Sequence, residues 1–399
     1  MREDEVLIVG AGPVGLLGAL GLARSGIKVT LIECEPYIVD SPRAAVYHWS
    51  VLEGLERLGL LEQARSIGFP KQDYHYLVFK TRERISFTLE PLSAITRHPY
   101  NIHLGQNKLA ELALQRLQGM PNFSVHWNTR FTGLSQDGSG VTVSAQTPAG
   151  PREFRSGWVI GADGAGSSVR RAVGLHFDGM TWPERFVATN IYYDFEQDGY
   201  ARSTLMIDPQ YGAIIAKLDN EGLWRCTYCE DAALAEEGVL QRMPQYFKTI
   251  LSRPAEYRLA MHSPYRMHQR AAERFRAGRV MLAGDAAHVT NPTGGLGLTS
   301  GLFDIFALYE ALAAVIHGEA DPAVLDRYSQ ERRRIFLDYV SPRATENKRL
   351  IYHSSDPVRL AEDLRQLRRL ETDKDFVLEV VSFTKRLESP SLVGAAGRH

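Results

Sequence analysis

Gly10, Gly12 and Gly15 stand in a Gly-x-Gly-x-x-Gly run with Pro13 inside it, and Glu33 ends the next apolar run. Each glycine has a physical task. The first permits a tight turn, the second lets a diphosphate approach the backbone, and the third lets a helix pack on its strand. The helix start offers free N–H groups and the positive end of a dipole. Glu33 can accept hydrogen bonds from a ribose diol. A second chemistry-bearing stretch is Val280 to Gly301, where a buried run delivers Asp285 and the chain continues through Pro292, Gly295 and Gly297. A carboxylate there can hold a sugar hydroxyl, and unpaired amides at the next helix start can hold an anionic ring. Taken alone, that glycine-rich loop is equally explained by tight turns. Between the two lies Gly161 to Arg171, with Asp163 and Gly164 following a short apolar strand.

These groups need elements to position them. Glu5–Val9 reads as a buried strand, 16–24 as a helix and Lys28–Ile32 as a second strand, which together make a nucleotide-binding α/β unit. Residues 44–60 and 109–117 read as amphipathic helices. Residues 74–79 and 84–89 read as a hairpin, and 123–127, 130–135 and 141–146 as antiparallel strands. From 186 to 229 the pattern becomes successive β runs rich in Tyr, Trp and Ile, a sheet suited to walling a cavity. A helix is expected over 238–252, with Pro244 as its start or a kink, and another over 299–317. Residues 322–385 are charged amphipathic helix; Arg332 to Arg334 and Arg368-Arg369 read as solvated faces, and the tail after Glu388 as frayed.

The chain has 399 residues, 44% of them hydrophobic, enough for large cores and more than one domain. Its 46 Lys and Arg balance 47 Asp and Glu, so charge gives no reason to expect nucleic acid or an anionic membrane as partner. Three cysteines argue against a disulfide framework and suit a cytoplasmic protein. Cys226 and Cys229 lie three apart in a strand-like run, so they face opposite sides. The acidic N-terminus does not read as a signal peptide. The apolar stretch 302–316 is interrupted by Asp304 and Glu310 and falls short of a membrane span. No cluster has metal-ligand spacing, so no metal is expected.

Together the three glycine-bearing segments resemble the class A flavoprotein monooxygenases, the aromatic hydroxylases typified by para-hydroxybenzoate hydroxylase. The resemblance covers roughly residues 1–345. It implies a Rossmann-like FAD-binding domain of the glutathione-reductase type, with an inserted mixed and antiparallel β-sheet substrate domain and C-terminal helices. The implied boundaries are 1–73, 101–178 and 265–345 for the FAD domain, 74–100 and 179–264 for the substrate domain, and 346–399 for the helical segment. By the same resemblance Gly10, Gly12, Pro13, Gly15 and Glu33 bind the ADP half of FAD. Asp163 and Gly164, with Ser167 and Arg170, match a motif linked to FAD and the reduced pyridine nucleotide. Asp285 matches the ribitol-binding aspartate, and Pro292, Gly295, Gly297 and Leu298 the loop at the flavin. Arg43 falls where the family keeps an arginine touching the cofactor, and Gln106 where it keeps a glutamine near the flavin. Leu296 and Thr299 depart from a common Gln and Asn, and His48-Trp49-Ser50 from a common Arg-Thr pair.

The activity so implied is hydroxylation of a small phenolic or hydroxypyridine-type aromatic with NADH or NADPH and O2, by way of a flavin C4a-hydroperoxide. The protein must then position the ring, exclude water and help remove a phenolic proton. Tyr193, Tyr211 and Tyr228 are the candidate phenols for a proton relay or for ring binding; His48 and Tyr76 are further candidates near the cavity. His288 is expected to pack and hydrogen-bond near the flavin. The family's habit implies a monomer or homodimer. Same-fold alternatives are a reductase and a halogenase, although the W-x-W-x-I-P run of a halogenase is missing. A non-catalytic FAD-binding protein is the alternative of another class.

Overall fold

The computed structural model describes residues 5–40 and 45–394, so Arg43 lies outside the described residues. Strand Glu5–Val9 sits inside a six-stranded sheet, flanked by Lys28–Ile32 and Trp158–Gly161. Both pairings are parallel, and Val280–Leu282 adds to the far side of Trp158–Gly161 in the same sense. These runs are continuous rather than alternating because both faces of the parallel sheet are covered, by helices and by the antiparallel strands over residues 130–156. Phe123–His126 pairs in parallel with Lys28–Ile32, and so is the outer strand of this sheet. The antiparallel expectation for residues 123–127 is corrected; only Arg130–Asp137, Gly140–Thr147 and Gly150–Ser156 form the antiparallel meander.

The eight-stranded sheet joins distant parts of the chain. In spatial order it runs His288–Val289, Arg258–Ala272, Phe177–Tyr192, Leu223–Asp231, Ala213–Lys217, Ser203–Ile207, Asp73–Val78 and Glu83–Thr88. The hairpin over residues 73–88 is present, and its inner strand pairs in parallel with Ser203–Ile207. Helix Val239–Ile250, with Pro244 inside it, covers one face through Val239, Met243, Phe247 and Ile250. The helix expected over 44–60 begins only at Trp49 and ends at Arg57. Val46–Tyr47 instead pairs with Asn101–His103, which also pairs with Phe69–Lys71. Tertiary pairing has overridden helical periodicity there.

Helix Leu296–Ile316 runs through the main core and carries the fully buried Asp304. It is long and apolar enough to cross a membrane, but 78% of its apolar window is buried within the fold. The solvated-face reading of Arg332 is corrected: its side chain is 0% exposed and lies on Asp304. The tail is likewise tied down as far as the described residues go, with Leu392 and Val393 packed on the core and Arg327 donating to the Leu392 carbonyl.

Candidate active site

The first glycine turn has the shape its sequence requires. Gly10 has φ of +108°, and a Cβ on Gly15 would lie 2.0 Å from the Gly10 carbonyl oxygen. A Cβ on Gly12 would meet nothing within 4 Å, so the crook of the turn is open where a diphosphate would lie. Pro13 opens helix Pro13–Arg24. The Glu33 carboxylate accepts from the Ala11 N–H at 2.7 Å and from the Glu35 N–H at 3.0 Å, which fixes it at the rim of that crook.

Asp163 shapes its own loop. Its oxygens accept from the Ser167 hydroxyl at 2.5 Å and from the Ser168 and Val169 N–H groups at 2.7 and 3.1 Å. Gly164 supplies the positive φ of +77° that this turn needs. Arg170 then ties two motifs together, donating to the Ala286 carbonyl at 2.7 Å and to the Ala165 carbonyl at 2.8 Å. The strand Val280–Leu282 thereby delivers Asp285 in an exposed position at its end. His288 is fully buried, stacks on Phe336 at 4.4 Å and lies 2.7 Å from Asp304, the packing role expected of it.

The loop Pro292–Gly295 leads into helix Leu296–Ile316, whose first-turn amides, Gly297 and Leu298 among them, have no intrahelical acceptors. Gly294 and Gly295 both adopt positive φ, 96° and 68°. The Thr293 hydroxyl is buried there without a partner among the described residues. Leu296 and Thr299, the departures from the family pattern, are both buried, and Thr299 donates to the Gly295 carbonyl. They support the loop from behind. Gln106, half-buried, opens helix Gln106–Gln118, with two residues between it and the end of strand Asn101–His103.

His48 reaches this loop, with Nε2 2.8 Å from the Gly294 carbonyl oxygen. That acceptor assigns the ring proton to Nε2, so Nδ1 receives Asn101 Nδ2 at 3.4 Å. The Asn101 amide is oriented by the Trp49 N–H, which donates to its Oδ1 at 2.8 Å, and its Nδ2 donates to the Tyr74 hydroxyl. Burial pushes the His48 pKa down, so this imidazole is neutral. A chain of hydrogen bonds thus runs from the sheet at Tyr74 to the loop at Gly294.

The three tyrosines singled out from the sequence are not on this chain. Tyr193, Tyr211 and Tyr228 all belong to the core under helix Val239–Ile250. Tyr193 donates to Asp198 at 2.5 Å, Tyr228 stacks on Tyr246 at 3.9 Å, and Tyr211 packs beside Phe79 and Tyr246. Strand parity is the reason. Tyr228 shares the helix-covered face with Cys226, whereas Arg225, Thr227 and Cys229 point the other way. The opposite face carries Tyr76, half-buried and stacked on Phe87, and two groups the sequence reading missed, Asn190 and Arg225. Arg225 Nε donates to Asn190 Oδ1 at 3.0 Å. Burial lowers the Arg225 pKa to about 10, which leaves it a cation at neutral pH, with Tyr265 and Asp40 as charge partners. Alternation of polar residues with Trp224, Cys226 and Tyr228 was the available signal.

Residues 3–341 match the family described as FAD binding domain, and the chain belongs to that family, the class A flavin monooxygenases. It is 42% identical over 97% of its length, and 99% of the relative's, to 6-hydroxy-3-succinoylpyridine 3-monooxygenase of Pseudomonas putida. It is 43% identical to para-nitrophenol 4-monooxygenase of a Pseudomonas species, over 93% of each chain. A crystal structure of p-nitrophenol 4-monooxygenase from Pseudomonas putida superposes with a TM-score of 0.93 at 40% identity, covering 98% of this chain and 99% of the other. Aklavinone-11 hydroxylase, solved with FAD and aklavinone, superposes with a TM-score of 0.80 at 27% identity over 90% of this chain and 71% of its own. FAD is therefore the cofactor, and the open crook at Gly12, the fixed Glu33 and the exposed Asp285 fit it.

Proposed function

We propose that this protein is an FAD-dependent monooxygenase that hydroxylates a small phenolic or hydroxypyridine-type aromatic, using NADH or NADPH and O2. The observation that carries the reading is the polar chain from Tyr74 through Asn101 and His48 to the Gly294 carbonyl, with the half-buried cation Arg225 on the same face of the large sheet as Tyr76. It joins a substrate-facing sheet to the flavin-facing loop. When bound, FAD accepts a hydride from the nicotinamide and activates oxygen.

The chain's own residues do the rest. Gly12 gives the diphosphate its approach, and Glu33 and Asp285 hold the ribose and ribitol hydroxyls. Amides at the start of helix Leu296–Ile316 favour negative charge on the ring system. His48 holds the loop in register through Gly294, while Asn190 and Arg225 face an aromatic ring from the sheet. The layered helices behind the loop keep water from the reacting centre.

The test is anaerobic reduction of the bound flavin by NADH and by NADPH, with and without a panel of phenols and hydroxypyridines. An acceleration of about tenfold or more by one aromatic is expected, equivalent to about 1.4 kcal/mol of barrier. Reduction indifferent to every aromatic would instead indicate a same-fold oxidoreductase, and no reduction a binding protein.

A further inference from the structure

Lys71 ends strand Phe69–Lys71 and pairs with Asn101, so antiparallel register places Lys71, Asn101 and His103 on one face of that small sheet. Its side chain belongs to a residue only 3% exposed. Buried ammonium groups are ordinarily paired with carboxylates. No carboxylate among the described residues is within salt-bridge distance of this one. Nζ donates to the Asp73 carbonyl at 2.8 Å and sits 3.3 Å over the Tyr74 ring. The carbonyl takes one of its three hydrogen directions. Among the described residues Nζ makes no other hydrogen bond.

A second observation points the same way. His103 is fully buried; its Nδ1 lies 2.7 Å from the Lys217 carbonyl and so carries the ring proton. Its Nε2 lone pair is buried without a partner among the described residues. A buried polar atom left unpaired calls for a ligand or a cost. Lys71, His48 and Arg225 all act electrostatically on this imidazole. The small sheet therefore sets the Lys71 nitrogen on the same face as an unpaired acceptor at His103, with the Arg225 cation acting on that imidazole, a setting that suits a hydroxyl about to become an oxyanion.

We propose that Lys71 is a catalytic residue: as the free amine it takes the proton from the hydroxyl of the aromatic substrate, and as the ammonium it then holds the resulting oxyanion. The O–H bond breaks, its electron pair stays on oxygen, and the proton forms the third N–H of Nζ. Charge is conserved as a neutral pair becomes an ammonium–phenolate pair. His103 Nε2 lies on the face of the small sheet that carries Lys71. Burial drives the Lys71 amine well below its ordinary pKa, with Asp73 opposing and Arg202 reinforcing that trend. His48, His75 and Tyr74 complete the titratable groups around it. The inference rests on the monooxygenase reading above.

The test uses the FAD-loaded protein and 4-nitrophenol, whose anion absorbs visibly apart from its neutral form. Native protein should bind it as the phenolate down to a pH about one unit or more below that at which the free ligand ionises. In Lys71→Met with FAD retained, the bound ligand should ionise at or above the free value. Lys71→Arg, which keeps a cation but accepts no proton, should still bind the phenolate. With the aromatic that stimulates the native enzyme, it should form product about 100-fold more slowly. A Met variant that titrates like native protein, an Arg variant with native product rates, or native protein that does not bind the phenolate would each overturn the assignment. Should Lys71→Met fail to hold FAD, the Arg variant decides. If no phenol or hydroxypyridine stimulates NAD(P)H oxidation by native protein, the parent reading fails instead.

Discussion

The Tyr228 hydroxyl is buried without a hydrogen-bond partner among the described residues, and its ring stacks on Tyr246 at a centroid distance of 3.9 Å. Removing such a hydroxyl abolishes an unmet desolvation cost and leaves the stack intact. Tyr228→Phe is expected to be neutral or to stabilise by up to about 1 kcal/mol, read from the urea midpoint. Product formation should stay at the native rate, because this ring faces helix Val239–Ile250 rather than the flavin loop. A marked fall in turnover would return Tyr228 to the reaction. Position in a sheet, not residue type, decides what a tyrosine can do.

At the scale of the element, Asp304 turns helix Leu296–Ile316 into a clamp. One oxygen accepts from Arg332 Nε at 2.7 Å. The other lies 2.7 Å from His288 Nε2 and accepts the Gly284 N–H at 3.0 Å. Burial alone would raise the Asp304 pKa, and the charges of His288 and Arg332 more than reverse this, so the carboxylate is ionised. Arg332 extends the cluster to the Leu387 carbonyl and to Ser300. Asp304→Asn leaves Arg332 buried without its counter-charge, and about 3–5 kcal/mol of stability should be lost. Thermal unfolding of apoprotein and holoprotein would measure it. The affinity for FAD should fall as well, because Gly284 directly precedes Asp285; unchanged FAD affinity would show that the two functions are separate.

Across the whole molecule, the large sheet and the C-terminal helices are joined at Glu184. Its carboxylate, on strand Phe177–Tyr192, meets His353 Nε2 at 3.2 Å and Lys348 Nζ at 3.0 Å, while Lys348 sits 4.2 Å over the Trp182 ring. The hydrogen bond from His353, followed by Lys348, lowers the Glu184 pKa from 4.5 to about 2. A depressed carboxylate pKa means that the unfolded chain binds more protons between those values. The stabilisation is therefore complete above pH about 4.5 and is lost as pH falls toward about 2. Its size is on the order of 1–3 kcal/mol. Glu184→Gln should lower the urea midpoint at neutral pH and converge on native protein in acid. A difference that persists undiminished at low pH would rule out this linkage.

Much of the nucleotide half is legible in the amino-acid sequence. Gly10, Gly12, Gly15 and Glu33 are close in sequence, and local turn and helix geometry dictates their arrangement, so the spacing itself is enough. The motifs at Asp163 and Asp285 are legible for the same reason, and so is the character of residues 186–229 as sheet. What the chain alone leaves open is which side of that sheet meets the flavin. A strand has two faces that differ by a shift of one residue, and helix Val239–Ile250 claims the face carrying Tyr193 and Tyr228. The polar corner depends on contacts between residues far apart in the chain. His48, Lys71, Tyr74, Asn101 and His103 meet only because Val46–Tyr47, Asn101–His103 and Phe69–Lys71 form a small sheet. Arg332 reads as one of three solvated arginines because helical periodicity marks a face but not what packs against it. Its burial on Asp304 is decided by the tertiary fold.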